Sequence, residues 1–331
     1  MRHAPCVICP VYDIAKLQVF CVMNRPVTVA IPTLNAGQKF PELLQALKKQ
    51  TVSHELLVID SSSSDDTIRV AASFGAKTIT VRQEDFDHGG TRNLAVQEAR
   101  GELIVFLTQD AVPANEHALE RLLRPFSDMR VAATYGRQLP GSGATLFAEH
   151  LRLFKYPAEA RVKGLQDKAA YGIETPFLSD SFSAYRKDAL QRIGMFKNGI
   201  IFAEDVHAGA RLVLAGRLIA YVPDAAVYHS HNHTLLDELR RYFDTAMFYT
   251  SEAWIGEAFG ANLGEAWRYT WSEFVYVGKR GTVLQALECF PRTGLRVLGF
   301  LLGRWHRLLP RGLCRRLSAH PGWWKGKGRE A

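Results

Sequence analysis

The sequence predicts an α/β protein with a mainly parallel central sheet and a helical C-terminal region. Short apolar, β-branched runs alternate with amphipathic stretches in the first third of the chain, a pattern typical of βαβ units. Polar residues follow directly after these runs, and long helical patterns dominate from Thr234 onward. The length of 331 residues suits either two ordinary domains or one large α/β domain with an appendage.

The predicted elements follow one another closely along the chain. Strands are predicted at Val27–Ile31, Leu56–Ile59, Lys77–Val81, Glu102–Leu107, Ala132–Gly136, Ser181–Tyr185 (as an edge strand), Leu218–Val222 and Ala226–His229. Helices are predicted at Phe40–Lys49, between Asp65 and Gly75, at Thr91–Arg100, at Lys187–Ile193 and from Ala203 to Leu214.

Four polar side chains, Asn35, Asp60, His88 and Asp110, stand just after predicted strands. In an open α/β sheet the carboxyl ends of the strands line the ligand crevice. Asp110 follows an apolar run and has two interpretations. It is either a helix cap or surface turn, or an oxygen ligand for Mg²⁺ or Mn²⁺ carrying a diphosphate.

Five motifs occur in a fixed order along the chain. They are Pro32-Thr33-Leu34-Asn35, Val58-Ile59-Asp60 with its serine-rich loop, His88-Gly89-Gly90-Thr91-Arg92-Asn93, Phe106-Leu107-Thr108-Gln109-Asp110 and Glu204-Asp205. Their order and spacing from Val27 to His231 resemble the inverting family-2 glycosyltransferases of the GT-A fold. Within that family, the chain is most similar to bacterial rhamnosyltransferases of surface-polysaccharide assembly.

The resemblance implies that Asp205 is the base that deprotonates the acceptor hydroxyl and that Glu204 orients the base or the acceptor. The alternative is that either residue simply caps the helix that runs to Leu214. The helix N-terminus is expected to keep the Asp205 carboxylate ionised. Asp180 and Ser181, before a predicted strand, are expected to face the acceptor sugar.

The resemblance also implies a nucleotide-sugar pocket. Its expected members are Pro32, Thr33, Asn35, Asp60, Gly89, Gly90, Arg92 and Gln109. Asp60 would recognise the nucleotide base or ribose, and Arg92 would approach the diphosphate where Gly89 and Gly90 allow close backbone approach. The alternative for Arg92 is an ordinary arginine on the surface of a helix.

The expected metal ligands for Mg²⁺ or Mn²⁺ are Asp110 and His229. The family's metal motif is Asp-x-Asp, and in this chain Thr108 stands where the first Asp would be. His229 and His231 belong to the run Tyr228–His233, in which alternating histidines are either metal ligands or a solvated turn. Of the two, His229 is the expected ligand.

The net charge of +8 is concentrated at the C-terminus. Residues 279–331 hold 12 lysines and arginines against 2 acidic residues, a charge of +10, whereas residues 1–278 carry −2. Seven apolar residues are predicted to share one helical face, and four arginines the opposite face. The apolar residues are Leu295, Leu298, Leu301, Leu302, Trp305, Leu308 and Leu309, and the arginines are Arg296, Arg304, Arg307 and Arg311.

This pattern predicts an interfacial helix on an anionic membrane. The alternative is a helix packed on the catalytic domain with a solvated arginine face. No nucleic-acid motif accompanies the charge, and we expect no nucleic-acid partner. Five cysteines with a long cysteine-free middle argue against a disulfide framework, and Cys6 and Cys9 lack the second pair that a zinc site needs.

The predicted organisation is an extension over 1–26, a GT-A domain over 27–232 and a basic, membrane-associating helical region over 233–331. The predicted activity is transfer of L-rhamnose from dTDP-rhamnose to a glycan or polyprenyl-linked acceptor, by a cytoplasmic enzyme peripheral to the inner face of the cell membrane. Two alternatives stay open: a related transferase that uses UDP-galactofuranose or a UDP-hexose, and an inactive nucleotide-sugar-binding scaffold.

Overall fold

A computed structural model describes residues 25–260 and 263–326, and its architecture is the expected α/β fold. Cys6, Cys9 and nearly all of the predicted extension lie outside the described residues. The strands are β1 (Val27–Thr33), β2 (Glu55–Asp60), β3 (Lys77–Thr80), β4 (Leu103–Leu107), β5 (Val112–Pro113), β6 (Val131–Leu139), β7 (Arg161–Lys163), β8 (Phe182–Arg186) and β9 (Leu218–Tyr228).

The helices alternate with these strands and then continue alone to the C-terminus. They are α1 (Lys39–Lys48), α2 (Thr67–Ser73), α3 (His88–Glu98), α4 (Ala118–Leu123), α5 (Leu146–Lys155), α6 (Lys168–Tyr171), α7 (Lys187–Arg192), α8 (Glu204–Leu214), α9 (Leu235–Ser251), α10 (Ala253–Phe259), α11 (Leu263–Arg280), α12 (Val283–Arg304), α13 (Arg311–Leu317) and α14 (Trp323–Gly326).

The strands form one sheet in the order β3-β2-β1-β4-β8-β6-β9-β5, with β7 also paired to β9. The pairs β1–β2, β1–β4, β2–β3 and β6–β9 are parallel, whereas β8 is antiparallel to both β4 and β6. Strands β1, β2, β3, β4, β6 and β9 therefore all run in one direction. Their carboxyl ends meet at one edge of the sheet, and the start of β8 lies at the same edge.

The prediction of an edge strand at Ser181–Tyr185 is wrong. Strand β8 lies inside the sheet, and all of its residues are buried. Its polar side chains have internal partners, since Ser183 Oγ donates to Asp180 Oδ1 at 2.6 Å and Arg186 Nε donates to the Val131 carbonyl at 2.9 Å. Polar residues with buried partners do not mark an edge.

The two strands predicted at Leu218–Val222 and Ala226–His229 form the single strand β9. Helix α3 begins at His88, earlier than the predicted Thr91, because the Asp87 carboxylate accepts the Gly90 N–H at 2.7 Å and caps the helix there.

Alternation along the strands divides the apolar core between the two faces of the sheet. On β4, Leu103, Val105 and Leu107 belong to one buried cluster, and Ile104 and Phe106 belong to the other. Successive side chains of a strand point to opposite faces, so a strand covered on both sides is apolar throughout.

The C-terminal helices pack closely on one another. Helix α12 lies against α9, and Gly299 and Gly303 permit the contact: a Cβ added at Gly299 would lie 2.3 Å from the Leu239 carbonyl oxygen, and one at Gly303 would lie 2.2 Å from that of Phe243. Among the described residues, no helix is both long enough and apolar enough to cross a membrane.

The orientation of α12 does not fit the alternative of a helix packed through its apolar face with a solvated arginine face. Arg296 is only 4% exposed, whereas Leu298, Leu301 and Trp305 are exposed. The cause is a pair of buried carboxylates, because Arg296 donates to Glu238 of α9 and to Glu273 of α11. Arg304, Arg307 and Arg311 are exposed, as expected.

The close contact of α12 with α9 predicts different effects for two glycines of the same helix. Gly303→Ala should lower the free energy of unfolding by about 1–3 kcal/mol, because its methyl group would meet the Phe243 carbonyl. Gly294→Ala meets nothing within 4 Å and should leave stability unchanged or raise it by up to about 1 kcal/mol. Chemical denaturation measures both, and equal stabilities would contradict the packing described.

Candidate active site

The loop after β1 and the loop after β2 form one hydrogen-bonded unit. Asn35, with a positive φ of 45°, accepts the Ser64 N–H at 2.9 Å through its side chain, and its own N–H donates to Ser63 Oγ at 2.8 Å. The Gln109 amide bonds both the N–H and the carbonyl of Leu34, at 2.8 and 3.2 Å. Four of the residues predicted for the nucleotide pocket, Pro32, Thr33, Asn35 and Gln109, thus lie together.

Asp60 lies at the end of β2 as predicted, but its carboxylate is enclosed by protein groups. It is fully buried, and its carboxylate accepts from Thr33 Oγ1 at 2.9 Å, from Ser63 Oγ at 2.6 Å and from the Ser63 N–H at 2.8 Å. A carboxylate with these hydrogen bonds stabilises the loop after β2. Its predicted contact with a nucleotide base would need the loop to open.

Asp110, His229 and His231 form a cluster of potential metal ligands. Asp110 Oδ1 lies 3.4 Å from His229 Nε2, and its Oδ2 lies 3.4 Å from His231 Nε2. The two Nε2 atoms are 3.0 Å apart, and the ligand atoms all lie within 4.8 Å of one another. The Thr108 hydroxyl is buried beside Asp110. Asp110 is therefore neither a helix cap nor a free surface turn.

A glutamine on β6 orients His229. Gln138 Nε2 donates to Tyr156 Oη at 2.7 Å and to Ser179 Oγ at 3.0 Å, which leaves Gln138 Oε1 facing His229 Nδ1 at 2.9 Å. This network indicates that Nδ1 carries the proton, since an amide oxygen only accepts. The lone pair of His229 is then on Nε2, the atom that faces Asp110 and His231.

The protonation states also suit a cation. Burial opposes the charged form of Asp110, but the adjacent His229 and His231 imidazoles outweigh it and hold the Asp110 pKa well below its ordinary value. Burial lowers the pKa of His231 and so favours the neutral imidazole. One carboxylate and two imidazoles, which a bound cation would hold in their neutral form, fit a divalent cation of borderline softness.

A second cluster places one arginine among acidic side chains. Arg92 of α3 is buried, with Nε 2.7 Å from Asp180 Oδ2 and an Nη atom 2.6 Å from Glu204 Oε1. The carboxylates outweigh the burial penalty, so the pKa of Arg92 is raised. Arg92 is therefore committed to protein carboxylates, which matches neither its predicted approach to a diphosphate nor the alternative of a surface arginine.

Asp180 is also buried in this cluster. Its Oδ1 accepts from Ser183 Oγ at 2.6 Å and from Tyr185 Oη at 2.7 Å, while Oδ2 faces Arg92. The Asp180 side chain is only 1% exposed, so the prediction that it faces an acceptor sugar does not fit its place. Ser181, the next residue, is half-buried just before β8, on the side of the sheet where the parallel strands have their carboxyl ends.

Asp205 is the accessible member of the cluster. It lies in the first turn of α8, and its Oδ2 accepts the Asp180 N–H at 3.1 Å. Burial and the neighbouring Asp180 and Glu204 carboxylates raise the pKa of Asp205 to about 8. Burial and these two carboxylates thus oppose the ionised form, which the helix N-terminus was expected to favour.

The two glycines of the His88–Asn93 motif serve packing. A Cβ on Gly89 would lie 2.1 Å from the Lys197 carbonyl oxygen, and the Gly90 N–H caps α3 through Asp87. Asn93 extends the contact, since its side chain bonds both the N–H and the carbonyl of Phe196 at 2.9 Å. These contacts join the start of α3 to the segment that leads to Glu204, and the approach of the two glycines to a diphosphate stays a prediction.

Three consecutive residues connect the clusters. Ser179 Oγ accepts from Gln138, the Asp180 N–H donates to Asp205, and the Ser181 carbonyl accepts the Thr108 N–H at 3.4 Å. The segment Ser179–Ser181 thus touches the partner of the metal cluster, the candidate base and the segment that carries Asp110. Because β8 is antiparallel, its start brings these residues to the carboxyl ends of β4 and β9.

Sequence reasoning ranked His231 below His229 and missed Gln138. The alternation of His229 and His231 carried a signal for a shared site, since alternate residues of extended chain lie on one side. Gln138 had no local signal, because it lies in a strand 91 residues from its partner.

Comparisons with known proteins agree with the sequence motifs. Residues 28–194 match the family described as Glycosyl transferase family 2. Two O-antigen chain rhamnosyltransferases, WbaN of Salmonella anatum and RfbN of Salmonella typhimurium, are each 40% identical over 90% of this chain, covering 95% and 96% of their own lengths.

The solved structure of the mannosyltransferase PcManGT from Pyrobaculum calidifontis, in complex with GDP-Man and Mn²⁺, superposes on 89% of this chain and 94% of its own. The TM-score is 0.60 at 16% sequence identity, so this likeness concerns the fold alone and confirms the expected GT-A fold.

The orientation of His229 by Gln138 predicts a metal-binding defect that leaves all three ligands in place. Gln138→Leu should weaken Mn²⁺ binding about 10–100-fold, because the imidazole loses the partner that fixes its tautomer. Isothermal titration calorimetry measures the affinity, and Gln45→Leu on the exposed side of α1 serves as the matched control. An unchanged affinity in Gln138→Leu would exclude this orienting role.

Proposed function

Because this chain belongs to glycosyl transferase family 2, we propose that it transfers L-rhamnose from dTDP-rhamnose to a glycan or lipid-linked acceptor in surface-polysaccharide synthesis, with inversion. The observation that carries the proposal is the segment Ser179–Ser181, which joins a metal-ligand cluster to an accessible carboxylate of raised pKa. The 40% identity to two O-antigen rhamnosyltransferases supports rhamnose as the sugar.

On the donor side, the problem is the charge that develops on the departing diphosphate. Asp110, His229 and His231 would hold a divalent cation, which when bound supplies positive charge to that leaving group. Two imidazoles and one carboxylate favour Mn²⁺ over Mg²⁺, because Mg²⁺ prefers an all-oxygen shell. The loop of Thr33, Asn35 and Gln109 would hold the nucleoside.

On the acceptor side, Asp205 takes the proton. As the acceptor hydroxyl oxygen attacks the anomeric carbon, its proton passes to an Asp205 carboxylate oxygen. The bond from that carbon to the diphosphate oxygen breaks, and the nucleoside diphosphate leaves with the electron pair. A base is most effective when its pKa lies near the working pH, and a pKa of about 8 meets that condition better than an ordinary aspartate does.

Glu204 and Arg92 influence the charge of Asp205 without touching the acceptor. Glu204 is buried and paired to Arg92, and its pKa is lowered by that cation despite burial. A permanently charged Glu204 repels a second negative charge on Asp205. We propose Arg92, Asp180 and Glu204 as positioning residues, and Asp205 as the group that touches the acceptor.

We propose that the chain acts in the cytoplasm at the inner face of the cell membrane, bound peripherally through residues 279–331, where a polyprenyl-linked acceptor would be presented. The exposed basic residues of that region support an anionic lipid partner and, without a nucleic-acid motif, give no reason to expect RNA or DNA.

Replacing the base separates chemistry from binding. Asp205→Asn should abolish transfer while dTDP binding, measured by calorimetry, survives. For the wild type at saturating Mn²⁺, kcat/KM should rise about tenfold per pH unit below pH 8 and level off above it, because only the ionised carboxylate accepts a proton. Asp224→Asn, at an exposed position, is the matched control and should keep wild-type turnover.

Stability provides an independent readout of the same carboxylate. The folded pKa of about 8 exceeds the unfolded value of about 3.9, so wild-type stability should fall as pH rises between these values. Asp205→Asn has no carboxylate to ionise at this position, so its stability should not fall with pH for this reason. Its Tm at pH 8 should therefore exceed that of the wild type. Near-normal turnover in Asp205→Asn, or a lower Tm at pH 8, would refute the assignment.

A donor screen with the purified full chain tests the proposed sugar. Release of dTDP from dTDP-rhamnose, dependent on Asp205, is the expected result. Release of UDP from UDP-galactofuranose or a UDP-hexose would favour the alternative transferase. Binding of a nucleotide sugar with no Asp205-dependent release from any donor would favour the inactive scaffold.

A further inference from the structure

Helix α12 has its charged side inside the protein. Arg292 and Arg296 are buried and pair with Glu238 and Glu273, the closest contact being 2.6 Å between an Arg296 Nη atom and Glu273 Oε2. Cys289, Gly299 and Gly303 complete this buried side. Such an ion-pair network satisfies the charges internally and leaves the opposite side of the helix to other residues.

The outer side of α12 is apolar from Val283 to Leu301, and Arg304 follows in the last turn. At 3.6 residues per turn the exposed residues of the helix fall within an arc of about 200°. They are Val283, Leu284, Leu287, Phe290, Pro291, Gly294, Val297, Leu298, Phe300, Leu301, Arg304 and, at the C-cap, Trp305. Leu284 is 78% exposed and Val283 77% exposed, which is unusual for large apolar side chains facing water.

The apolar surface continues onto α11 and beyond the end of α12. The ring of Phe290 meets that of Phe274 at 5.7 Å, and Phe274 stacks on Trp271 at 6.1 Å. Trp267, one turn before Trp271, is 71% exposed. At the other end, Leu308 is 83% exposed. We call this surface, from Trp267 to Leu308, the apolar face.

Positive charge surrounds the apolar face. The exposed lysines and arginines between 263 and 326 are Arg268, Lys279, Arg280, Arg304, Arg307, Arg311, Arg315, Arg316 and Lys325. The acidic residues in the same range, Glu265, Glu273 and Glu288, are buried or half-buried. Lys279 and Arg280 stand at one end of the outer side of α12, and Arg304 and Arg307 at the other.

We propose that the apolar face inserts into the interface of an anionic bilayer, with α12 lying parallel to the membrane surface. The stretch from Val283 to Trp305 is about 33 Å long. Apolar side chains bordered by cations complement lipid tails bordered by anionic headgroups, whereas two copies of this surface would bring their cations together. Tryptophans at the border suit the headgroup region.

This inference deepens the proposed function and rests on it in one respect, since membrane contact would bring the enzyme to a lipid-linked acceptor.

The chain that follows the apolar face packs against the segment that precedes the candidate base. Trp323 Nε1 donates to the Gly199 carbonyl at 3.0 Å, and the His320 ring stacks on Phe202 at 6.0 Å. Both partners lie just before Glu204, so the membrane-facing layer packs directly on the segment that carries the base.

Insertion differs from simple electrostatic attachment in its response to salt and to apolar substitutions. The test is co-sedimentation of the full chain with vesicles of phosphatidylethanolamine and phosphatidylglycerol, without donor or acceptor. The wild type should bind and stay bound in high salt, because apolar contacts are not screened. Leu287→Glu combined with Leu298→Glu should lower the partition coefficient at least about tenfold.

Met129→Glu is the matched control, since Met129 is 59% exposed but distant in sequence from the apolar face, and it should bind as the wild type does. Retention of dTDP binding by the double variant shows that it is folded. Complete release of the wild type by salt, or vesicle binding unaffected by the double variant, would overturn the proposal.

A wild-type dimer that the double variant converts to monomer, with no vesicle binding by either form, would also overturn it and assign the face to a second copy. Since the assay contains no sugar nucleotide, failure of the rhamnose proposal in the donor screen leaves this result unaffected.

Discussion

One guanidinium shared among three acidic side chains is the constraint on which the catalytic half of the site depends. Arg92 contacts Asp180 and Glu204 directly, and Asp205 follows next in the chain. A buried carboxylate without its own cation is costly unless it takes up a proton. One positive charge cannot offset three negative ones, and Asp205 is the member with access to solvent. The excess of acid over base in this cluster therefore raises the pKa of both Asp180 and Asp205, and of the two Asp205 is the more exposed.

The geometry that delivers this charge arrangement comes from a single strand of opposite direction. The strands before and after β8 bring Asp110 and His229 to one edge by their carboxyl ends, whereas β8 contributes through its beginning. Only an antiparallel strand places its preceding loop at that edge. Ser179–Ser181 can then bond the partner of His229 and the base at once.

The sequence was sufficient for the direction of the sheet and for the clustering of strand-end residues, because periodicity and parallel topology determine which residues meet. It was insufficient for the role of each polar side chain. Asp60 and Arg92 occupy predicted positions in the fold, but each is enclosed by partners distant along the chain. A motif shows that a residue type is required at a position, whereas burial decides whether it contacts a ligand or supports a residue that does.

The same distinction explains the inverted faces of α12. A helical period separates apolar from charged residues, but it contains no information on which side turns inward. The usual assumption that apolar residues go inside holds only when the interior offers no counter-charge and the exterior is water. Here Glu238 and Glu273, from two other helices, provide buried partners for Arg296. Burying leucine instead of Arg296 would leave Glu273 without its cation, at a cost of about 3–5 kcal/mol for a broken buried pair, and would leave Glu238 with Arg292 alone. Exposed leucine is costly in water but not against lipid, so the orientation of α12 agrees with the bilayer contact proposed above.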